Sequence, residues 1–424
     1  MAVSLTVLKE ATSETRVAAT PETVKKMSAM GISVTVEAGA GAASGFTDAA
    51  YKGAGASVTK GISAALKKSD VVLGVRAPSA ANVKAMKANA VLIATLNPYQ
   101  SGAQVKAYAA AKIQAMSMEL MPRITRAQSM DVLSSQSNLS GYKAVLDATH
   151  EYGRALPMMM TAAGTIPAAR IFVMGAGVAG LQAIATAKRL GAIVSATDVR
   201  RAAAEQVESL GGTFVMVEAD EDDSGETAGG YAKEMSADYK KRQAALVTEH
   251  IAKQDIVICT ALIPGRPAPE LVTKMLEGMK PGSVLVDLAV EQGGNCRLSK
   301  MGTITEHKGV KLVAHENVPG RLAGNASELY SRNLFNFLDA FYNKDKKSLA
   351  LDWEDEIIAG IGLTKNGSIV HPALVSKPAA EADQQTPVAK KKPSAKKAPA
   401  KKAAAKKPAA KKPTAKKAAA KGAK

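Results

Sequence analysis

Three glycines are spaced as a phosphate-binding turn. Gly175-Ala-Gly177-Val-Ala-Gly180 follows the apolar run Ile171-Phe-Val-Met and opens a helical pattern from Val178 to Leu190; a second strand pattern then ends at Asp198. The spacing has chemical content. Gly175 allows a tight turn, Gly177 lets a pyrophosphate approach the backbone with no Cβ in the way, and Gly180 permits a helix to lie close to a strand. The helix N-terminus offers unpaired N–H groups to phosphates. Asp198 can accept hydrogen bonds from ribose hydroxyls and repels a 2′-phosphate, which favours NAD over NADP. Arg200 and Arg201 pull the other way. The plainer readings are a glycine-rich turn with no ligand and, for Asp198, a helix N-cap.

A second cluster runs from Met118 to Asn138 and holds Arg123, Arg126, Gln128, Asp131 and Ser134. A loop placed after a parallel strand faces the ligand crevice. An amide, a guanidinium and a carboxylate there could hold a nicotinamide carboxamide, which needs both donors and acceptors. Hydride transfer requires no nucleophile–base pair, because the cofactor carries the chemistry. The competing reading is a capped helix start with an internal Arg–Asp ion pair. Arg16, in Glu14-Thr-Arg16, reads either as a carboxylate ligand or as one half of a surface ion pair.

Other chemistries are excluded or weakened. The five histidines show no short metal spacing, and Cys259 and Cys296 form no Cys-x-x-Cys. Two cysteines in 424 residues cannot be a disulfide framework and suit a reducing compartment. The N-terminus does not read as a secretory signal. Two uncharged stretches, Ala88–Val105 and Ile171–Ala187, are broken by Asn-Pro or by glycines and do not read as membrane spans.

The formal net charge is +18, from 56 basic and 38 acidic residues, but it is unevenly placed. Residues 389–424 hold 15 lysines and no acid, leaving 41 basic and 38 acidic groups in the other 388. Lysine pairs recur every five residues from 396/397 to 416/417 among alanines and prolines. Such a run cannot bury a core, and disorder is expected over 377–424. It could contact nucleic acid through phosphates or an anionic membrane surface, with no aromatic residue to stack on bases.

The elements that must position these groups alternate strand and helix. Strands are expected at Leu5–Leu8, Ser33–Glu37, Asp70–Val75, Ala90–Leu96 and Gln114–Leu120, with helices at Pro21–Met30 and Gln100–Lys112. A long helix is expected over Gln136–Leu156, then a hinge at Met158–Pro167. A second series follows: strands Arg170–Met174, Ile193–Thr197, Thr213–Val217, Asp255–Ala261, Ser283–Ala289 and Lys311–His315, helices Val178–Leu190, Ala202–Leu210 and Tyr231–Lys253, and a surface loop at 218–230. A last helix, Ala326–Tyr342, is expected to return to the first sheet. The fold class is therefore α/β: two Rossmann-like, doubly wound parallel-sheet domains with a cleft between them, plus the tail. The expected division is 1–135 with 326–376, then 136–325, then 377–424.

Several segments together resemble a known family. Glu14-Thr-Arg-Val-Ala, Met118–Asn138, Gly175–Gly180 with Thr197-Asp198-Val-Arg, Glu226–Met235 and Asp287–Cys296 are similar to the NAD(H)-binding alpha subunits of proton-translocating NAD(P) transhydrogenases, relatives of alanine dehydrogenase. The resemblance covers about Leu5 to Pro372. It implies a homodimer that holds NAD (as NADH) and passes hydride to NADP⁺ on a membrane-associated partner subunit, coupled to proton movement. It further implies a peripheral position on the cytoplasmic side of a bacterial inner membrane. By motif position, Arg123, Gln128, Asp131 and Ser134 form the candidate catalytic set at the nicotinamide. The candidate cofactor-binding set is Gly175, Gly177, Val178, Ala179, Gly180, Asp198, Val199, Arg200, Tyr231, Ala261 and Leu262, with Tyr231 on a closing loop. No metal is expected. The longest members continue into transmembrane helices, and this chain resembles the soluble first subunit of a three-subunit enzyme. Alanine dehydrogenase is the alternative. Its substrate lysine and histidine correspond here to Arg76 and Asn97, which removes the acid–base step.

Overall fold

The computed structural model describes residues 3–217, 236–263 and 266–375. Tyr231, the stretch 218–230 and the lysine-rich tail lie outside the described residues. The first sheet comprises β1 (Ser4–Val7), β2 (Ser33–Glu37), β3 (Ser57–Thr59), β4 (Val71–Leu73), β5 (Val91–Ala94) and β6 (Gln114–Ser117). All pair in parallel, in the order β3-β2-β1-β4-β5-β6. The crossovers are α1 (Pro21–Ala29), α2 (Asp48–Gly53), α3 (Ile62–Leu66), α4 (Ala80–Ala85) and α5 (Gly102–Ala110). Helix α1 starts where the sequence indicates: Thr20 and Thr23 form a reciprocal capping box, and Pro21 occupies the first turn.

Helix α6 (Val132–Glu151) joins this sheet to the second. It begins four residues earlier than expected because the Asp131 side chain caps it, and it ends well before Pro157. The expected hinge is instead an exposed hairpin, β7 (Met159–Thr161) with β8 (Gly164–Ile166). The second sheet holds β9 (Arg170–Met174), β10 (Ile193–Thr197), β11 (Thr213–Phe214), β12 (Ile256–Cys259), β13 (Val284–Asp287), β14 (Thr303–His307) and β15 (Val310–Ala314). Its order is β11-β10-β9-β12-β13-β15-β14, parallel except for β14. Strands β3 and β14 escape a sequence reading for one reason: both are polar, partly exposed edge strands without a continuous apolar run. Helices α7 (Val178–Arg189), α8 (Ala203–Ser209) and α9 (Ala237–Ile251) cover this sheet.

Helix α10 (Ala323–Phe341) follows the second sheet but buries Tyr330, Leu334, Phe337, Leu338 and Phe341 in the same apolar cluster as Leu5, Val7, Val71 and Ile93 of the first. Each large apolar side chain so buried contributes roughly 1.5–3 kcal/mol, ample to draw the chain back. Both sheets reverse strand order once, at β1/β4 and at β9/β12. Crevices at the carboxyl ends of strands open at such points.

Candidate functional site

The glycine turn sits at the β9/β12 switch point, and its three glycines differ in what surrounds them. Gly175 has φ +105°, and a Cβ there would lie 2.5 Å from Thr260 Oγ1. A Cβ on Gly180 would lie 1.8 Å from the Gly175 carbonyl oxygen, so α7 rests directly on the turn. Gly177 has nothing within 4 Å of its would-be Cβ. Two glycines are thus required by packing and the third faces open space, as a pyrophosphate cradle needs. The first backbone bond of α7 runs from Leu181 N–H to Gly177 O at 2.8 Å. The N–H groups of Val178, Ala179 and Gly180 precede it and point out of the helix start. Thr260, just after β12, was not legible as a site residue. Its hydroxyl donates to the Gly175 carbonyl at 2.9 Å, and only strand pairing brings the two together.

Asp198 follows β10 beside the turn. One carboxylate oxygen accepts the Ala176 N–H at 2.8 Å, and both oxygens take the Arg200 guanidinium, Nε at 3.0 Å and Nη2 at 2.9 Å. The aspartate therefore braces the glycine turn and neutralises the nearby arginine. Val199 is half-buried between them. Ala261 and the exposed Leu262 follow Thr260; the Ala261 carbonyl accepts from the buried Asn295 amide at 2.9 Å. Asp287 accepts backbone N–H groups from Ala289, Asn295 and Cys296, so this motif is a loop brace.

The Met118–Asn138 segment leads into α6, and α6 ties it to the glycine turn. A Cβ on Gly141 would lie 2.0 Å from the Ala179 carbonyl oxygen, so the two helices touch at the first turn of α7. Seven residues of helix, roughly 10 Å, separate Ser134 from that contact. Asp131 accepts the Ser134 N–H at 2.9 Å and its hydroxyl at 2.5 Å. Arg126 reaches out of the segment to Asp355 with two bonds of 2.8 Å. Arg123 and Gln128 are exposed on the same segment.

Arg16 is not on the surface. It is 6 % exposed and Glu14 is 7 %, and the pair is bidentate at 2.8 and 2.7 Å. Arg16 Nη1 donates to Gln136 of α6 at 2.9 Å, while Asn317 and Arg76 also donate to Glu14, each at 2.9 Å. Burial by itself would raise the Glu14 carboxyl, but the bonds and charge of Arg16 and Arg76 hold it at about 2. Arg76 also reaches Glu291 at 3.5 Å. A cavity of about 560 Å³ lies here, lined in part by Glu10, Glu14, Arg76, Ser79, Glu291 and Asn317. Glu10 is raised to about 7 by burial, against the Val75 and Arg76 N–H groups that it accepts. Asn97 is bonded to Gln100 at 3.0 Å. Among the described residues no histidine, cysteine or carboxylate group forms a metal cluster.

Fold and site define a dinucleotide-binding α/β protein with two doubly wound sheets. Residues 6–140 match the N-terminal domain of the alanine dehydrogenase/PNT family and residues 144–372 its C-terminal domain. The chain belongs to that family. It is 54 % identical over 370 residues to the first of the alpha-subunit chains of NAD(P) transhydrogenase from Rhodospirillum rubrum, covering 86 % of this chain and 96 % of that one. It resembles the crystal structure of a transhydrogenase from Sinorhizobium meliloti, with TM-score 0.79, 55 % identity and coverage of 87 % of this chain and 100 % of the other. Alanine dehydrogenase of Halomonas elongata is more distant, 29 % identical over 371 residues, with 85 % and 92 % covered. Among the described residues no helix is long and apolar enough to cross a membrane.

Proposed function

We propose that this chain is the NAD(H)-holding subunit of an NAD(P) transhydrogenase, transferring hydride between NADH and NADP⁺ carried by a partner subunit in a proton-translocating membrane complex. The observation that carries this reading is the composition of the cleft. The glycine turn is open at Gly177, while at the other switch point Arg76 is committed to Glu14 and Glu291, and Asn97 cannot titrate. Neither side chain can pass a proton to an imine, and the Glu10 carboxylate in the same cavity is engaged by the Val75 and Arg76 N–H groups. NADH supplies the hydride itself. In this reading the turn and α7 start take the pyrophosphate, and Asp198 with Val199 and Arg200 takes the adenosine ribose. Ala261 and Leu262 flank the cofactor, and Tyr231 closes over it. Arg123, Gln128, Asp131 and Ser134 hold the nicotinamide end. A discontinuous first domain (1–135 with 326–376) and a nucleotide domain (136–325) form the cleft.

The test is a titration of the purified chain with NADH against NADPH, followed by addition of an NADP-binding partner and measurement of hydride transfer. Preference for NADPH, or NADH oxidation that needs only pyruvate and ammonium, would overturn the reading. We further propose a homodimer at the cytoplasmic face of the membrane. The hairpin carrying Met158, Met159, Met160 and Ile166, all exposed, supports the dimer, and Met160→Glu should lower the sedimenting mass. The lysine-rich tail supports attachment to an anionic surface, and high salt should release it.

A further inference from the structure

Helix α10 does more than return the chain to the first sheet. Asn333 is buried at 8 % exposure, and its amide spans two points of the Met118–Asn138 segment. Its Nδ2 donates to the Ser129 carbonyl at 2.8 Å, and its Oδ1 accepts from the Ser135 hydroxyl at 2.7 Å. Ser129 adjoins Gln128 and Ser135 adjoins Ser134. One planar carboxamide therefore pins Ser129, next to Gln128, and Ser135, next to Ser134, on either side of Asp131. Asn336 adds a second donor to the Ser129 carbonyl at 3.0 Å. One step further on, the Gln136 amide donates to the Ala326 carbonyl at 3.1 Å and accepts from Arg16.

We infer that Asn333 is a positioning residue for hydride transfer, setting the separation of Gln128 from Asp131 and Ser134 without touching the cofactor. The chemistry of the side chain is specific. A carboxamide presents a donor and an acceptor in one plane, both carried by the same carbon. Aspartate keeps the shape and loses the donor to Ser129; leucine keeps the approximate volume and loses both. The segment is otherwise a short 3-10 helix, Thr125–Met130, followed by the Asp131 cap. Its own backbone bonds are few, so its geometry depends on what holds it from behind. A misplacement of about 1 Å in a positioning group lowers transfer on the order of a hundredfold.

The inference rests on the nicotinamide reading of Arg123–Ser134, and the experiment separates the two. Hydrogen exchange is followed in the full chain and in Asn333→Asp. The expected result is faster exchange at amides 128–135 with no change at 175–181. With NADH and an NADP-binding partner present, Asn333→Asp should lower kcat roughly tenfold to a hundredfold while the NADH dissociation constant moves less than about threefold, because the adenosine end is held elsewhere. If exchange at 128–135 is unchanged, Asn333 positions nothing and the inference falls. Equal kcat in variant and parent, at altered exchange, overturns it as well. If the parent itself transfers no hydride, the proposed function fails, and the exchange comparison still decides whether Asn333 sets this segment.

Discussion

Substituting alanine at Gly177 and at Gly180 should have opposite effects, since the two glycines meet different surroundings. At Gly180 the new methyl would sit 1.8 Å from the Gly175 carbonyl oxygen and 2.9 Å from its carbon. A comfortable contact is about 3.5 Å, so α7 must withdraw by roughly 1.5 Å from the turn it caps. Nothing at the far end of a flexible side chain can yield, because the obstacle is backbone. Overpacking of this kind costs about 1–3 kcal/mol or more, a loss of several degrees in melting temperature. At Gly177 the methyl would meet no atom within 4 Å, and the backbone there (φ −78°, ψ −167°) suits any residue. The cost to folding is no more than about 1 kcal/mol, the difference between glycine and alanine at an N-cap. The open space should instead be the pyrophosphate's, so the Gly177→Ala dissociation constant for NADH should rise on the order of tenfold to a hundredfold, about 1.4–2.8 kcal/mol. Urea unfolding and NADH fluorescence titration on both variants decide the matter. Unchanged NADH affinity in Gly177→Ala would remove the argument that this side of the turn faces phosphate. A Gly180→Ala chain as stable as the parent would refute the packing argument.

Glu14→Gln leaves the buried Arg16 without its charge partner and should destabilise by about 3–5 kcal/mol in urea unfolding. In the parent, the Glu14 carboxyl is held at about 2 against a usual 4.5, so its contribution is complete above pH 4.5 and fades as pH falls towards 2. Glu10 behaves oppositely. With its carboxyl raised to about 7 from 4.5, its contribution is complete below pH 4.5 and is lost as pH rises through 7. Allowing for its exposed edge, that loss is on the order of 1–2 kcal/mol, and Glu10→Gln should flatten this part of the stability–pH curve. Arg126→Ala breaks a pair on the exposed side of the segment and should change stability by less than about 1 kcal/mol in the same unfolding assay.

Much of this molecule is written locally. Strands β2, β9 and β10 fall on the expected residues: β9 and β10 are short buried runs between turn residues, and β2 alternates buried Val34 and Val36 with polar residues. The glycine turn declares itself because Gly175 supplies a positive φ, Gly180 a close packing contact and Gly177 an open face, and their spacing is fixed by a strand, a turn and a helix in succession. The same locality misleads at Arg16. Beside Glu14 in sequence it looks like an exposed pair, and only the approach of Gln136, Asn317 and Arg76 from three distant segments turns it into a buried hub.

Sequence by itself determined the two alternating α/β series, the glycine turn, the capped helices and the separation of a near-neutral body from a basic tail. Each follows from the chemistry of residues a few positions apart. The tertiary structure alone decided that Thr260 braces Gly175, that Gly141 seats α6 on Ala179, and that Asn333 holds the segment ahead of α6 from two hundred residues away. Those contacts depend on strand order and on which crossover packs where. Burial sums over the whole chain set both, and no short stretch of residues records them.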